Sequence, residues 1–310
     1  MLWSEVAGIY ASDLPTIHAR PVSVLAAELR GRPTPAPREF IMRRLVITSC
    51  LIATSVVSAA SIAAAQSGHA ARFLDNCHNN GGDEERFCEV RNFTLPAGRA
   101  LNVDGRENGG ITVHGWDQPG IQVVAMIQAQ AESQAEAQGI AKAVNILTNG
   151  SEVRSDGPDT GHRQSWSVSY EVYAPRHTDL TLTAMNGGLA VDGIESRMDL
   201  RTVNGGLSLS NVNGDVHGVT MNGGISADLN GDRWQGAGLD VTTTNGGVKV
   251  YLPANYSAQL ETGTTNGHMN IDFPVTVQGA LTRRLSTQIG GGGATIRAMT
   301  TNGGVSISRR

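Results

Sequence analysis

The sequence predicts an all-β chain wound as a β-solenoid, and three observations predict it. Between residues 180 and 307 the tripeptide Asn-Gly-Gly recurs at Asn186, Asn204, Asn222, Asn245 and Asn302, with Asn266-Gly267-His268 as a variant. Aligned on that Asn, apolar residues stand three places later at Leu189, Leu207, Ile225, Val248, Met269 and Val305, and five places later at Val191, Leu209, Ala227, Val250, Ile271 and Ile307. A third apolar column lies six places earlier at Leu180, Met198, Val216, Leu239, Leu260 and Ile296, and Ala184 heads a column of Thr202, Thr220, Thr243, Thr264 and Thr300 two places earlier. Apolar residues at every second position turn one face of a strand into a core. Each unit therefore reads as a strand, a tight turn at Asn-Gly, and a second strand.

The successive Asn residues are 18, 18, 23, 21 and 36 residues apart. A fixed period near 18 with matching columns is the signature of coils that cannot bury their inner face without neighbours. Stacking would set the six Asn side chains above one another about 4.8 Å apart, as an amide ladder. The Thr column is expected to form a second ladder. The interval of 36 reads as two coils with one Asn missing, its turn replaced by the run Gly290-Gly291-Gly292-Gly293. The alternative is an antiparallel β-sandwich or meander, because Asn-Gly between alternating strands is also the strongest short-range signal for a two-residue hairpin. Hairpins give no reason for the columns to match from unit to unit.

Ahead of the repeats, residues 1–41 lack a core-forming pattern and carry the Pro-rich break 32–37, so they read as a misassigned upstream extension without ordered structure. Met42 then opens a basic pair, Arg43-Arg44, an apolar run and Ala63-Ala64-Ala65. That order predicts a Sec-type signal peptide over 42–65, cleaved before Gln66. A start at Met1 would make the same run a signal anchor, since roughly 20 apolar residues span a bilayer. Both readings place the repeats outside the cytoplasm, whether periplasmic, on the cell surface or secreted. Six of the 24 basic and four of the 28 acidic residues lie within 1–65, leaving 18 against 24 in the mature chain. An acidic chain with no basic run is unsuited to nucleic acid or anionic lipid.

Cys50 would leave with the signal peptide, and an even pair in an exported chain predicts a disulfide between Cys77 and Cys88 around Gly81-Gly82, closing a segment over 66–92. The β-strand repeat domain then runs over 93–310. Its first strands alternate at 93–95, 100–103 and 121–129, and Asn108-Gly109-Gly110-Ile111-Thr112-Val113 is an early relative of the repeat. Residues 131–144, rich in Ala, Gln and Glu, predict one amphipathic helix, weakened by Gly139. Trp166, Val168, Tyr170 and Val172 share one face of a strand that Pro175 ends.

These pieces in this order, from Asn108-Gly109-Gly110 through Tyr170-Glu171-Val172-Tyr173-Ala174-Pro175, the Asn-Gly-Gly series and Val250-Tyr251-Leu252-Pro253-Ala254 to Asp272-Phe273-Pro274, resemble the bacterial putative adhesin family of β-strand repeat domains. The resemblance covers about residues 101–307. It implies an extracytoplasmic β-helix-like domain acting at the cell envelope or in adhesion, and it brings no catalytic residues with it.

On the outward face, Asp192, Ser210, Asp228, Tyr251, Asp272 and Ser308 stand six places after the repeat Asn. Asp192 and Asp228, two coils apart, would be about 10 Å from each other, just beyond the separation used for inverting glycoside hydrolysis. A polysaccharide-degrading β-helix enzyme is therefore the alternative to a non-enzymatic binding or scaffold protein, as is a periplasmic envelope-stress component. Calcium-binding repeats carry Asp inside the turn, and here Leu, Ile or Val follows the glycines. The His residues lack paired ligand spacing, so neither a metal nor a cofactor is expected. Trp234, in the insertion 230–238, is a candidate surface contact with Asp192 and Asp228. Such a loop indole either stacks on a sugar or a partner, or folds back over the solenoid edge. The expected partner is an envelope or surface protein or a polysaccharide, with no membrane insertion of the mature chain.

Overall fold

A computed structural model describes residues 68, 70–77, 84–274 and 283–310. The upstream extension, the signal peptide, Cys50 and the Gly81-Gly82 turn lie outside the described residues. In chain order the strands are β1 (Glu85–Leu95), β2 (Ala100–Asp104), β3 (Ile111–Trp116) and β4 (Ile121–Ala131), then helix α1 (Gln134–Ala143). There follow β5 (Asn145–Asn149), β6 (Glu152–Asp156), β7 (Ser165–Pro175), β8 (Asp179–Ala184), β9 (Leu189–Asp192), β10 (Glu195–Thr202), β11 (Leu207–Ser210), β12 (Asn213–Asn222) and β13 (Ile225–Asp228). The last are β14 (Gly238–Asn245), β15 (Val248–Leu252), β16 (Ala258–Asn266), β17 (Met269–Ile271), β18 (Arg284–Ile289), β19 (Thr295–Asn302) and β20 (Val305–Arg309).

Two ten-stranded sheets share one apolar core, and each coil gives one strand to each sheet. Neighbouring coils pair in parallel, Leu207 opposite Leu189 and Ile225 in one sheet, Met198 opposite Leu180 and Val216 in the other. The three apolar columns are buried throughout the inner coils, whereas Met269 and Ile271, on the short outermost strand β17, are half-buried. Stacking decides against the hairpin alternative. The strands on either side of each Asn-Gly-Gly belong to different sheets, so the tripeptide is a corner of the coil and not a hairpin turn.

The first Gly of each corner is there because nothing larger fits. A Cβ on Gly205 would lie 2.0 Å from the carbonyl oxygen of Gly187 in the adjacent coil, and one on Gly223 would lie 2.0 Å from that of Gly205. Gly205→Ala should therefore destabilise by about 1–3 kcal/mol, the usual range for overpacking. Gly188→Ala, whose Cβ would meet only ordinary contact at 3.5 Å, should stay within about 0.5 kcal/mol of the parent. Urea unfolding followed by circular dichroism compares the two.

Chain order and stacking order differ at both ends. The coil β19/β20 is inserted between β14/β15 and β16/β17, pairing in parallel on both sides. At the other end β2/β3 lies between β6/β7 and β8/β9. The 36-residue interval is thus not two coils with one Asn lost. The next described strand after β17 is β18, which lies antiparallel to β16 at the edge of its sheet and turns at Gly290 to Gly293 into β19. Gly290, Gly292 and Gly293 have φ of +55°, +75° and +140°, a backbone suited to Gly, so the Gly run serves this reversal and not a repeat corner. Matching columns satisfy any stacking order, which is why the period alone misplaced the last coil.

The N-terminal end is closed by antiparallel pairing of β1 with β4 and of β4 with β7. Helix α1 packs on β1 and β4 and buries Ala137 and Ala141. It begins three residues later than the composition predicts, because Ala131 ends β4 opposite Glu85 and Ser133 caps the helix by accepting from the Glu136 amide. At its other end Arg91, held by Glu89, donates to the carbonyls of Ala141 and Val144. A disulfide between Cys77 and Cys88 ties the helical residues 70–77 to β1.

Between β8 and β10, Asp179 accepts from the Ser196 hydroxyl and from the Arg197 amide at 3.1 Å. The Ser196 hydrogen bond, more than the opposing burial, holds its carboxyl below the ordinary carboxylate range. A lowered folded-state value means stability that is fully present above the unfolded value and lost as pH falls through the folded one. Asp179→Asn should therefore lower Tm at pH 7 and flatten the acid limb of a Tm-against-pH curve, parent and variant converging as pH falls through the folded-state value.

Candidate functional site

The most regular polar feature of the surface is the row of corner Asn residues. Each side-chain amide donates to the Asn carbonyl of the next coil: Asn204 to Asn186, Asn222 to Asn204, Asn245 to Asn222, Asn302 to Asn245 and Asn266 to Asn302, all at 2.8 Å. Asn186 extends the row to Asn108 at 3.2 Å. Seven coils thus carry one exposed chain of amides, and its order confirms the inserted last coil. The Thr residues behave differently from the expected ladder. Thr202, Thr220, Thr243, Thr264 and Thr300 are buried and donate instead to the carbonyls of Gly187, Gly205, Gly223, Gly303 and Gly246 in the adjacent coil. A half-buried carbonyl at a corner has no ladder partner, and a hydroxyl that can rotate supplies one. The corners are therefore braced on the inside by Thr and on the outside by Asn.

Just before each corner Asn the side chain points outward. Along the stack these residues are Glu107, Met185, Val203, Met221, Thr244, Thr301 and Thr265. Met185, Val203 and Met221 are 48%, 37% and 52% exposed, three of the four large apolar side chains exposed among the described residues. Where this apolar half of the corner meets the loop before β7 there is a cleft of about 550 Å³. Met185, Val203 and Trp166 are among its lining residues, the Trp166 indole N–H donating to the Pro158 carbonyl at 2.9 Å. The charged groups of the lining are Asp104, Glu107, Asp156 and Asp159 against Arg106 alone. Asp104 accepts from the Arg106 amide at 2.8 Å, and no ion pair among the described residues engages these four carboxylates.

The outward acids do not form a second site. Asp192 and Asp228 flank Ser210 on adjacent strands of one sheet. Asp192 accepts from Asn211 at 2.7 Å, and Asp228 is engaged by Arg310. Asp192 is thereby tied to the adjacent coil and Asp228 to the residue that follows β20. Trp234 is not a surface contact and takes the other course, folding back into the solenoid. It is 4% exposed, lies in the core and donates its indole N–H to the Gly214 carbonyl at 2.9 Å. The insertion folds back because the lengthened corner leaves apolar space that the indole fills while its N–H finds a partner.

Sequence reasoning missed a polar knot on β3 and β7. Tyr173 donates to Glu171 Oε1 at 2.7 Å, His114 Nε2 lies 3.5 Å from that same oxygen, and the His114 and Tyr173 rings stack at 5.0 Å. Burial, reinforced by Glu171, pushes the Tyr173 phenol well above its ordinary range. Glu171 is almost fully buried. The signal available in the sequence was the consecutive run Val172-Tyr173-Ala174 at the end of an otherwise alternating strand, and in the structure every residue from Tyr170 to Ala174 is buried. Among the described residues no group of three or more His, Cys, Asp or Glu is placed to hold a metal ion, and no helix is long and apolar enough to cross a membrane.

A two-sheet solenoid with an amide-laddered corner defines the class of protein. Within that class the chain belongs to the Toastrack DUF4097 family, which matches residues 98–308. None of the curated proteins is similar to it. Among solved structures it is similar to a "putative cell adhesion protein" from Clostridium sporogenes, at 14% identity over 73% of this chain and 100% of that one, with a TM-score of 0.45. It is also similar to a "putative adhesin" from Bacteroides fragilis, at 8% identity over 72% of this chain and 97% of that one, with a TM-score of 0.36. A "putative lipid binding protein" from Parabacteroides distasonis shares 8% identity over 72% of this chain and 96% of that one, with a TM-score of 0.28.

Proposed function

We propose that the chain is an exported, non-enzymatic, adhesin-like solenoid that presents a rigid corner to a partner at the cell envelope. The observation that carries this reading is the unbroken amide ladder from Asn108 to Asn266, which fixes an exposed edge of seven coils. A pre-ordered surface of this kind binds without first paying to immobilise its own side chains. Export rests on the signal-peptide pattern at 42–65. Against the glycosidase reading stands the engagement of Asp192 by Asn211 and of Asp228 by Arg310, where catalysis needs two carboxyl groups converging on one bond.

Beads coated with the purified protein, passed over cells of the source bacterium, test the reading. Retention that excess soluble protein abolishes is the expected result. Retention no better than that of beads carrying an unrelated solenoid would overturn the binding function. Release of reducing sugar from envelope polysaccharide, stopped by Asp228→Ala, would replace it with the enzyme.

A further inference from the structure

The cleft beside the corner has a chemistry that the ladder lacks, and the geometry points to a basic, apolar-flanked peptide segment of a partner protein as its ligand. This inference rests on the surface-binding reading and names the partner's chemistry. Three exposed apolar side chains in line, Met185, Val203 and Met221, sit on successive coils. Strand spacing makes the row about 10 Å long. An extended peptide of three to four residues covers that length, and its alternate side chains would lie along the row. Large exposed apolar groups gathered in one place mark contact surfaces, and Met adapts its shape to what it meets.

At the end of the row the cleft supplies the charge. Asp104, Glu107, Asp156 and Asp159 outnumber Arg106 four to one in its lining, and all but Asp104 are exposed. The row beyond Met221 changes to Thr244, Thr301 and Thr265, so the apolar and acidic features coincide at one end of the solenoid. A segment placing Leu or Val along the row and Lys or Arg in the cleft satisfies both features at once. A neutral polysaccharide would leave the three aliphatic side chains without apolar partners and the carboxylates without a counter-charge. Charge complementarity of this kind also speeds encounter and makes binding depend on salt. Trp166, on the cleft wall, can receive a guanidinium or ammonium group on its ring face.

The test uses the purified protein and three fluorescein-labelled octapeptides: alternating Leu-Lys, alternating Leu-Glu and alternating Ser-Lys. Fluorescence polarisation reads binding at low and at physiological salt. The Leu-Lys peptide is expected to bind at least tenfold more tightly than either control. Met185→Ser with Met221→Ser, and separately Asp156→Asn with Asp159→Asn, should each weaken it at least tenfold. Asp272→Asn, an exposed carboxylate next to β17 at the other end of the stack, should leave it unchanged and shows whether general charge is responsible. All these side chains are exposed, and unchanged circular dichroism and Tm establish that each variant is folded. Binding of all three peptides alike, insensitivity to the cleft variants, equal loss in Asp272→Asn, or no binding would overturn the assignment. So would equally tight binding of a glucosamine oligomer, which would make the ligand a cationic saccharide. If the peptides fail while coated beads are still retained on cells, the cleft assignment falls and the adhesin-like function stands.

Discussion

Removal of residues 295–310 is expected to abolish cooperative folding of the repeat array, although it takes only the last sixteen residues. The segment holds β19 and β20, which occupy an inner position of the stack. It contributes the buried Ile296, Ala298, Thr300, Val305 and Ile307 to the core and the Asn302 link to the ladder. Burying a Val or Ile side chain is worth about 1.5–3 kcal/mol, so three such residues amount to about 5–9 kcal/mol. The exposed flanks of the adjacent coils add to the loss. That is comparable to the whole stability of an ordinary domain, about 5–15 kcal/mol. Amide hydrogen exchange offers the same test without truncation. Amides of β19 and β20 should exchange as slowly as those of β12, and those of β17 should exchange fastest, since protection follows position within a cooperative unit. If β19 and β20 frayed first while β16 and β17 were protected, the coils would be stacked in chain order and the topology described above would be wrong.

Leu207→Asp or Leu209→Asp should destabilise the protein by about 4 kcal/mol or more, whereas Ser208→Asp between them should be nearly silent. Leu207 and Leu209 are 2% and 1% exposed and point into the core between the two sheets. Ser208 is exposed on the opposite face of the same strand. A carboxylate in the core loses its hydration with nothing to pair it, which places it among the most costly single changes. On the outward face the same group stays in water. Thermal unfolding of the three variants reads the strand's register directly, because a slip of one residue exchanges the two faces. Equal losses at all three positions would remove the two-faced strand on which the coil is built.

The part of the fold that could be read in advance is the part set by local alternation. Leu207 and Leu209, or Val216 beneath the preceding corner, announce a buried face because the side chains of a strand point alternately to its two sides. Repetition then turns one coil into a stack. The order of that stack was not legible, because β16 and β19 present the same columns and either fits beside β14. The role of Thr was misjudged for a related reason. A Thr hydroxyl and the carbonyl of Gly187 lie far apart along the chain and meet only once two coils are adjacent. Trp234 illustrates the limit of reading an insertion by its length, since only the packed corner shows the space its indole fills. The cleft was invisible altogether. Its walls come from the corner after β2, the loop between β6 and β7, and the corners at Met185 and Val203, and no spacing in the sequence links these segments.

A single placement decides whether a rigid laddered corner and an acidic cleft can meet an external partner. Intact cells treated with proteinase K, under conditions that digest the purified protein, would be blotted with an antibody against the C-terminal residues. Loss of the protein while a periplasmic marker survives is the predicted result. Full protection of the protein until the outer layer is opened would contradict surface presentation and confine the solenoid to partners within the envelope.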